Sequence, residues 1–180
     1  MCCSSGILPT ASRVRAPSGV DCTTGVPENT LPVGEWLKRG YVPVYGRRPS
    51  AAELGEPASL LQPEGTYGPA FLTLKNYYVI KEYNFSDLYV LFVGHLSDRI
   101  NDPRPFETPW SKNTQLRTAQ VEAMQRTLAK LGLYKDKIDG KAGMLTRAAV
   151  GAYQKANRIK VDCWPTAAVL DDMQKRAAKN

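Results

Sequence analysis

The last third of the chain carries apolar residues at helical spacing, and they predict three short helices. Val121, Met124, Leu128 and Leu131 recur every three or four residues, which places them on one face of a helix. Gly132 follows directly and predicts the end of that helix, since glycine adopts the left-handed conformation without a steric cost. Two more stripes follow, and they consist of Ala149, Val150 and Tyr153, then of Val169, Leu170 and Met173. Residues 116–178 are therefore predicted to form a three-helix unit.

Tight turns separate these helices. Asp139 and Gly140 form a turn pair, because the aspartate side chain bonds nearby backbone and glycine supplies a positive φ. Gly143 marks a second bend, and Thr146 can cap the helix that follows. Pro165 predicts the start of the third helix, because proline suits the first helical position. Such short connections predict that the helices pack against one another.

The chain before this unit shows weaker periodicity. Residues 1–31 are rich in Ser, Thr, Pro and Gly, so we expect a disordered or extended lead-in. A short helix is predicted over 32–40, and short extended pieces over 59–61 and 67–74. The tyrosine-rich stretch 76–83 predicts a further helical segment.

A longer amphipathic helix is predicted next, capped by Asn84 or Ser86. Its apolar positions repeat at three- and four-residue steps, and they are Leu88, Phe92, Val93, Leu96 and Ile100. Pro103 ends the helix, because proline disfavours helix in the residue before it. The proline-rich segment 103–115 is predicted to be a linker that follows a domain of residues 32–102. The fold class expected for the chain is mainly α.

Composition and charge narrow the function classes. The 180 residues carry a net charge of +7 and a pI near 9.3, which can attract nucleic acid, an anionic membrane or an acidic polymer. The basic residues are spread out without an arginine-rich run, which argues against a nucleic-acid partner. No apolar run reaches the roughly 18 residues that a transmembrane helix needs, and we identify no export signal.

Cysteine and histidine usage argues against a metal site. Cys2, Cys3, Cys22 and Cys163 show no C-x-x-C spacing, and His95 is the single histidine. We therefore predict no metal and no cofactor. Cys22 and Cys163 could pair in an oxidising compartment, whereas adjacent Cys2 and Cys3 are interpreted as thiols on a flexible end.

Residues of the three-helix unit also match a known pattern, and they are Gln125, Leu128, Leu131-Gly132, Ile138-Asp139-Gly140, Gly143, Thr146-Arg147-Ala148-Ala149-Val150, Tyr153-Gln154 and Trp164-Pro165. This pattern resembles the three-helix peptidoglycan-binding repeat of bacterial cell-wall enzymes. The resemblance implies that the unit binds glycan strands and stem peptides of peptidoglycan. Candidate contacts by that analogy are Asp139, Gly140, Lys141, Gly143, Thr146, Arg147, Tyr153 and Trp164.

Stem-peptide carboxylates suggest how this unit would hold its ligand. We expect exposed backbone amides of the turn from Asp139 to Thr146, beside a helix N-terminus, to donate to such a carboxylate. Lys141 and Arg147 would add positive charge at the same place. The hypothesis therefore places the wall ligand at this turn.

The segment before the linker resembles a second family. The matching residues are Glu35-Trp36-Leu37-Lys38-Arg39-Gly40, Ala58-Ser59-Leu60-Leu61, Gly68-Pro69-Ala70-Phe71, residues 74–84, Ser86, Tyr89 and His95-Leu96-Ser97-Asp98-Arg99-Ile100. They are similar to the C-terminal part of the catalytic domain of lytic murein transglycosylases of the membrane-bound B type. The resemblance implies a partial lysozyme-like helical module and a periplasmic or cell-wall location.

The same resemblance implies a reaction. That family uses one glutamate, in a Glu-Ser/Thr-x-aromatic-Gly motif, to cleave between N-acetylmuramic acid and N-acetylglucosamine with 1,6-anhydro ring closure. No such motif occurs in this sequence, so we expect a chain that begins after the catalytic half, binds peptidoglycan and is inactive alone. Asn76, Tyr77 and Tyr83 are the expected substrate contacts on the remaining cleft wall. Core packing is the other interpretation of both tyrosines, and it is favoured for Tyr77.

Two other functions fit the same residues. The chain could be an active transglycosylase that uses another carboxylate, such as Glu64 or Glu82, placed in an apolar site. It could also be a non-enzymatic interaction module that binds a protein partner. Peptidoglycan binding remains the leading hypothesis.

Overall fold

The structure, a computed structural model, describes residues 10–101 and 103–177. The strands are β1 (Ala11–Arg15), β2 (Thr30–Pro32), β3 (Val42–Pro43), β4 (Pro57–Leu61) and β5 (Ala70–Thr73). The helices are α1 (Val33–Lys38), α2 (Ala51–Gly55), α3 (Lys75–Tyr83), α4 (Asp87–Asn101), α5 (Thr118–Lys130), α6 (Met144–Ala156) and α7 (Ala167–Ala177). The mainly helical class is confirmed. We call residues 10–101 the sheet module, 103–115 the connecting segment and 116–177 the repeat module.

A five-stranded antiparallel sheet, in the order β2-β4-β5-β1-β3, forms the centre of the sheet module. Strand β1 lies between β3 and β5, with Val14 opposite both Pro43 and Ala70. The lead-in is therefore extended rather than disordered over Ala11–Arg15, and Val14 is buried. Residues 1–9, with Cys2 and Cys3, lie outside the described residues.

Both faces of this sheet are covered. Leu60 and Leu72 pack with Trp36 on one face, while the adjacent Leu61 and Phe71 pack into a second cluster on the other. Because side chains alternate between faces, a strand that is buried on both sides shows a continuous apolar run. This explains why β4 and β5 show no alternation of polar and apolar residues.

Helix α4 forms as predicted but buries a different face. Its buried residues are Val90 and Leu91. The predicted core positions Leu88, Phe92, Leu96 and Ile100 are between 51% and 80% exposed, and Val93 is half-buried. The spacing locates a stripe correctly, but it does not tell which side of the helix the rest of the chain covers. Most of this apolar stripe is therefore not covered by the described residues.

The repeat module has the predicted three helices. Met124 and Leu128 of α5, Val150 of α6 and Met173 of α7 are buried in one cluster. Leu131 is an exception, because it follows the last turn of α5 and is 51% exposed. The face predicted for α5 is thus confirmed except at this residue.

A disulfide joins the two modules. Cys22, in a 3-10 turn of the sheet module, bonds Cys163 in the loop before α7, and their Cα atoms lie 6.1 Å apart. The pairing that the sequence left open is therefore present. Both residues are buried, and α6 reaches them closely because Gly151 has no side chain; a Cβ there would collide with the Cys163 sulfur and with Thr23.

A second junction lies around Asp162. Its backbone carbonyl accepts the Thr66 N–H at 3.1 Å, and its carboxylate accepts the Tyr67 hydroxyl at 2.7 Å. Gly65 has a φ of +60°, and a Cβ at this position would collide with the Asp162 carbonyl oxygen. Glycine at position 65 therefore permits the close approach of the two modules.

The connecting segment has no helix or strand, as predicted, yet it lies against the sheet module. The Phe106 ring packs against Phe71 at 6.2 Å and against His95 at 4.4 Å between ring centroids. Glu107 accepts the Tyr45 backbone N–H at 2.5 Å. These contacts fix the path of the segment, so it does not behave as a free tether between the modules.

Candidate functional site

A groove of about 520 Å³ opens where the two modules meet. The sheet-module side and the connecting segment contribute Pro63, Glu64, Phe85, Ser86, Asp87, Leu88, Trp110 and Gln115. The repeat module contributes Leu116, Thr118, Val121, Gly140, Lys141, Ala142, Gly143, Arg147, Trp164 and Pro165. Ligand sites are typically concave, about 300–1,000 Å³, and mostly apolar with a few polar groups. This groove is therefore the candidate site.

An ion pair crosses the floor of the groove. Asp87 accepts the Tyr77 hydroxyl at 2.6 Å and a Lys81 ammonium proton at 2.7 Å, and its other oxygen lies 3.5 Å from the Arg147 guanidinium. Burial disfavours the charge of Asp87, but Lys81, Tyr77 and Arg147 together outweigh it and hold its pKa below the usual 3.8. Asp87 is therefore a carboxylate that joins the modules.

Arg147 contributes to the junction of the two modules by pairing with Asp87. Burial lowers the pKa of its guanidinium, and Asp87 opposes that effect. Another nitrogen of the guanidinium donates to the Ala142 carbonyl. The sequence placed Arg147 beside a ligand carboxylate, whereas the structure pairs it with a carboxylate of the protein. Its charge is largely used within the fold.

The turn after α5 is organised by a buried glutamine. The Gln125 side-chain oxygen accepts the backbone N–H groups of Asp139 at 3.1 Å and Gly140 at 3.0 Å. Its amide nitrogen lies 3.1 Å from the Lys141 carbonyl and 3.1 Å from the Thr146 hydroxyl. Two of the amides that the sequence offered to a ligand are thus bonded internally. Asp139 and Thr146 are both hydrogen-bonded to Gln125 within this turn, and a contact of either residue with a ligand stays a prediction.

Lys141 is the predicted cation that stays available. Its side chain is exposed at the edge of the groove, and none of the described residues forms an ion pair with it. Gly143 lies beside it, precedes α6 and lines the same groove. The predicted positive edge therefore depends on Lys141 rather than on Arg147.

The remaining predicted contacts divide between the core and the surface. Tyr77 is fully buried, so no face of its ring is available to a sugar, and core packing is correct for it. Tyr153 is also buried and donates its hydroxyl to Asp172 at 2.7 Å. Tyr83 is 82% exposed on α3, and half-buried Asn76 lies on the same helix; neither lines the groove. Trp164 does line it, although most of its surface is buried.

Trp110 lines the groove although the sequence did not indicate it, and Glu64, which the sequence offered as an alternative carboxylate, lines it too. Trp110, in the connecting segment, packs against Phe71 at 6.3 Å and Phe106 at 5.8 Å and keeps 37% of its surface exposed. Glu64 is buried at the groove wall, where it accepts the Ser111 N–H at 2.6 Å. An aromatic residue inside a proline-rich segment is the signal that could have indicated Trp110.

The described residues offer neither a metal-binding cluster nor a membrane-spanning helix. Residues 10–101 and 103–177 contain no cluster of His, Cys, Asp and Glu that could hold a metal ion. The same residues contain no helix with the length and hydropathy needed to cross a bilayer.

Comparison with protein families identifies both modules. Residues 7–98, about half of the chain, match the transglycosylase SLT domain. The chain belongs to the transglycosylase SLT domain family. Residues 117–176 match a peptidoglycan binding domain, so the two resemblances seen in the sequence are confirmed in their order. The SLT match begins at residue 7, inside the predicted lead-in and well before the domain start predicted at residue 32.

Solved structures give the same result. Crystal structures of SltB3 from Pseudomonas aeruginosa, in complex with NAG-NAM-pentapeptide and with NAG-anhNAM-pentapeptide, match with TM-scores of 0.78 and 0.77 and 36% identity. The matches cover 92% and 93% of this chain but 45% of the SltB3 chain. This chain therefore spans less than half the length of those relatives. No curated protein matches the sequence.

Proposed function

We propose that this chain binds peptidoglycan, at the cell wall or in the periplasm, and does not cleave it alone. The observation that carries the proposal is the covalent union of an SLT-family module with a peptidoglycan-binding-family module through Cys22 and Cys163. The basic net charge of +7 supports it, since the stem peptides of the wall carry carboxylates.

The carboxylates around the groove support binding without cleavage. A glycosidic general acid needs a protonated carboxyl group in an apolar site. Asp87 is held as a carboxylate by Lys81 and Arg147. Glu64 uses one carboxylate oxygen to accept the Ser111 N–H, and Glu82 is exposed on α3. Neither the ion-paired Asp87 nor the exposed Glu82 has the surroundings of a proton donor.

Retention on purified sacculi tests the proposed function. The oxidised full chain should co-sediment with sacculi and should stay bound when added salt shortens the Debye length from about 8 Å at physiological strength. Lys130→Glu, on the exposed side of α5, removes charge away from the groove and serves as a control that should be retained equally. Complete release of the wild-type chain at moderate salt would show diffuse attraction and contradict specific binding.

Cleavage by Glu64 is the second candidate function. The observation that favours it is the position of this buried glutamate on the wall of the groove. It predicts release of 1,6-anhydro products, which the proposed function excludes.

A further inference from the structure

Helix α4 has an apolar face that the other described residues leave uncovered. Four residues at four-residue steps form it, and they are Leu88, Phe92, Leu96 and Ile100. Their exposed fractions are 51%, 63%, 55% and 80%. Residues four apart are neighbours on a helix surface, so these side chains form one ridge about 18 Å long. We call this ridge the α4 face; Leu88, at its start, also borders the groove.

The α4 face is widened by tyrosines at its N-terminal half. The Tyr83 ring of α3 lies 6.4 Å from the Tyr89 ring of α4 between ring centroids. Tyr89 precedes Phe92 by three residues, so both lie on the same side of the helix. Tyr83 is 82% exposed. The apolar surface therefore extends from α4 onto the end of α3.

The area of this surface is large for a protein that stays a monomer. Side chains of this size expose on the order of 200 Å² each when free, so the exposed fractions of the ridge and Tyr83 leave about 600 Å² of apolar surface. The largest apolar patch of a typical monomer is about 300–600 Å². A stable interface buries about 800 Å² on each partner, including a polar margin. With the exposed Ser97 and Arg99 at its margin, the α4 face reaches the size of one side of such an interface.

We propose that two copies of this chain form a symmetric dimer through the α4 face. The ridge suits a second copy of itself, because ridges with four-residue steps on two helices interdigitate at a crossing angle near −50°, the commonest class of helix packing. A two-fold axis makes such an interface isologous, so one surface supplies both halves. The central residues Phe92 and Leu96 then lose most of their exposed area.

The charge pattern favours a second copy over a strongly charged partner. All four ridge residues are uncharged, and Arg99, on the same side of the helix, donates to the backbone carbonyls of Pro103 at 2.6 Å and Arg104 at 3.0 Å. The ridge therefore offers no row of charges for an acidic or basic partner to match. Each copy carries a net charge of +7, so two copies repel at long range, and added salt screens that repulsion. Self-association should therefore strengthen with salt.

A dimer would carry two repeat modules. Under the proposed function, two linked wall-binding modules hold a sacculus with higher avidity than one. The dimer itself is tested without peptidoglycan. Its failure would therefore leave the proposed function standing, and failure of wall binding would leave the dimer standing.

Sedimentation velocity of the oxidised full chain, from about 1 to about 200 µM, tests the proposal. An interface at the low end of the size range should give a dimer Kd of about 10–100 µM. Leu96→Lys should raise this Kd at least about tenfold, because it places an unpaired ammonium in the interface. Added salt should lower the Kd of the wild-type chain.

A matched control separates the α4 face from general effects of charge. Leu131→Lys makes the same change on the repeat module, where Leu131 is 51% exposed, and should leave the Kd unchanged. Urea unfolding at a concentration well below the Kd shows whether each variant is folded, and there Leu96→Lys should unfold like the wild-type monomer. If Leu96→Lys does not fold, Ile100→Lys makes the same change at the 80% exposed end of the ridge.

Amide shifts on dilution locate the surface on which the copies meet, and they should cluster at residues 88–100. Three results would each overturn the proposal. The first is a wild-type chain that stays monomeric over the whole range, which would leave the α4 face to a different protein. The second is an equal effect of Leu96→Lys and Leu131→Lys. The third is a set of dilution shifts that clusters at Gly140 and Gly143, which would place self-association at the groove.

Discussion

Gln125 and Gln154 hold two different turns with the same set of hydrogen bonds. Each side-chain oxygen accepts two successive backbone N–H groups, beginning with Asp139 for Gln125 and with Asp162 for Gln154. Each amide nitrogen donates to the carboxylate of that same aspartate, at 3.1 Å and 2.7 Å respectively. Both glutamines are buried. One turn carries Lys141 to the groove, and the other carries the residues that bind the sheet module.

Replacing Gln154 should destabilise the fold strongly. Gln154→Leu leaves two buried N–H groups without an acceptor, and each such group costs about 1–3 kcal/mol. We expect the free energy of unfolding, measured by urea denaturation, to fall by about 2–5 kcal/mol. Gln174→Leu, on the exposed side of α7, is the matched control and should change it by less than about 0.5 kcal/mol. Equal losses of unfolding free energy in the two variants would show that the Gln154 hydrogen bonds contribute little to stability.

Truncation of two leucines on helical stripes should lower stability by very different amounts. Leu128→Ala should lower the free energy of unfolding by about 2–5 kcal/mol, because Leu128 is fully buried between the three helices. Leu96→Ala makes the same chemical change on the exposed face of α4 and should cost less than about 1 kcal/mol. Thermal and urea unfolding measure both variants. A large cost at Leu96 would mean that another surface covers this face in solution.

Removing the disulfide should weaken the union of the modules. The bond closes a loop across a sequence separation of 141 residues, so its loss should lower the free energy of unfolding by about 2–5 kcal/mol. Wild-type protein with reductant should match the Cys22→Ser, Cys163→Ser double variant, and reductant should not change the double variant further. If reductant still lowers the free energy of unfolding of the double variant, that loss comes from thiols other than Cys22 and Cys163.

Acid should loosen the contact between the modules through Asp87. Its pKa is lower in the folded state than the usual 3.8, so its charge stabilises the fold above that pH. The stabilisation is lost as the pH falls below 3.8 and through the lower folded pKa. Asp87→Asn should therefore reduce stability at neutral pH and flatten the acid limb of the stability curve. Asp171→Asn, on the exposed side of α7, should leave that limb unchanged.

The chain should release no 1,6-anhydromuramyl product from peptidoglycan. Product analysis by chromatography and mass spectrometry measures this directly. A product peak that disappears in Glu64→Gln but persists in Glu82→Gln would establish catalysis by the groove glutamate and contradict the inactive assignment. If the product peak disappears only in Glu82→Gln, catalysis depends on Glu82 of α3 instead.

Local sequence was sufficient to predict the three helices of the repeat module, whereas the short helix α2 was not predicted. The stripe containing Met124 and Leu128, the left-handed Gly132 and the Asp139-Gly140 turn depend on neighbours within a few residues, and all three have the predicted form. The ordered residues of the repeat and of the transglycosylase pattern also identified both families correctly. These features are determined by residues that are close in the chain.

Strand pairing, burial and ion pairing between residues far apart in sequence were decided only by the tertiary structure. Strand β1 became central because β3 and β5 supplied its hydrogen bonds, although its own sequence resembles a loop. Leu88 and Leu96 stayed exposed, since a stripe does not specify what covers it. Arg147 pairs with Asp87, which is distant in sequence, and no local pattern indicated that pair. Only the packing of two modules brings Trp110 and Lys141 to one groove, because their surfaces meet through contacts that no local pattern encodes.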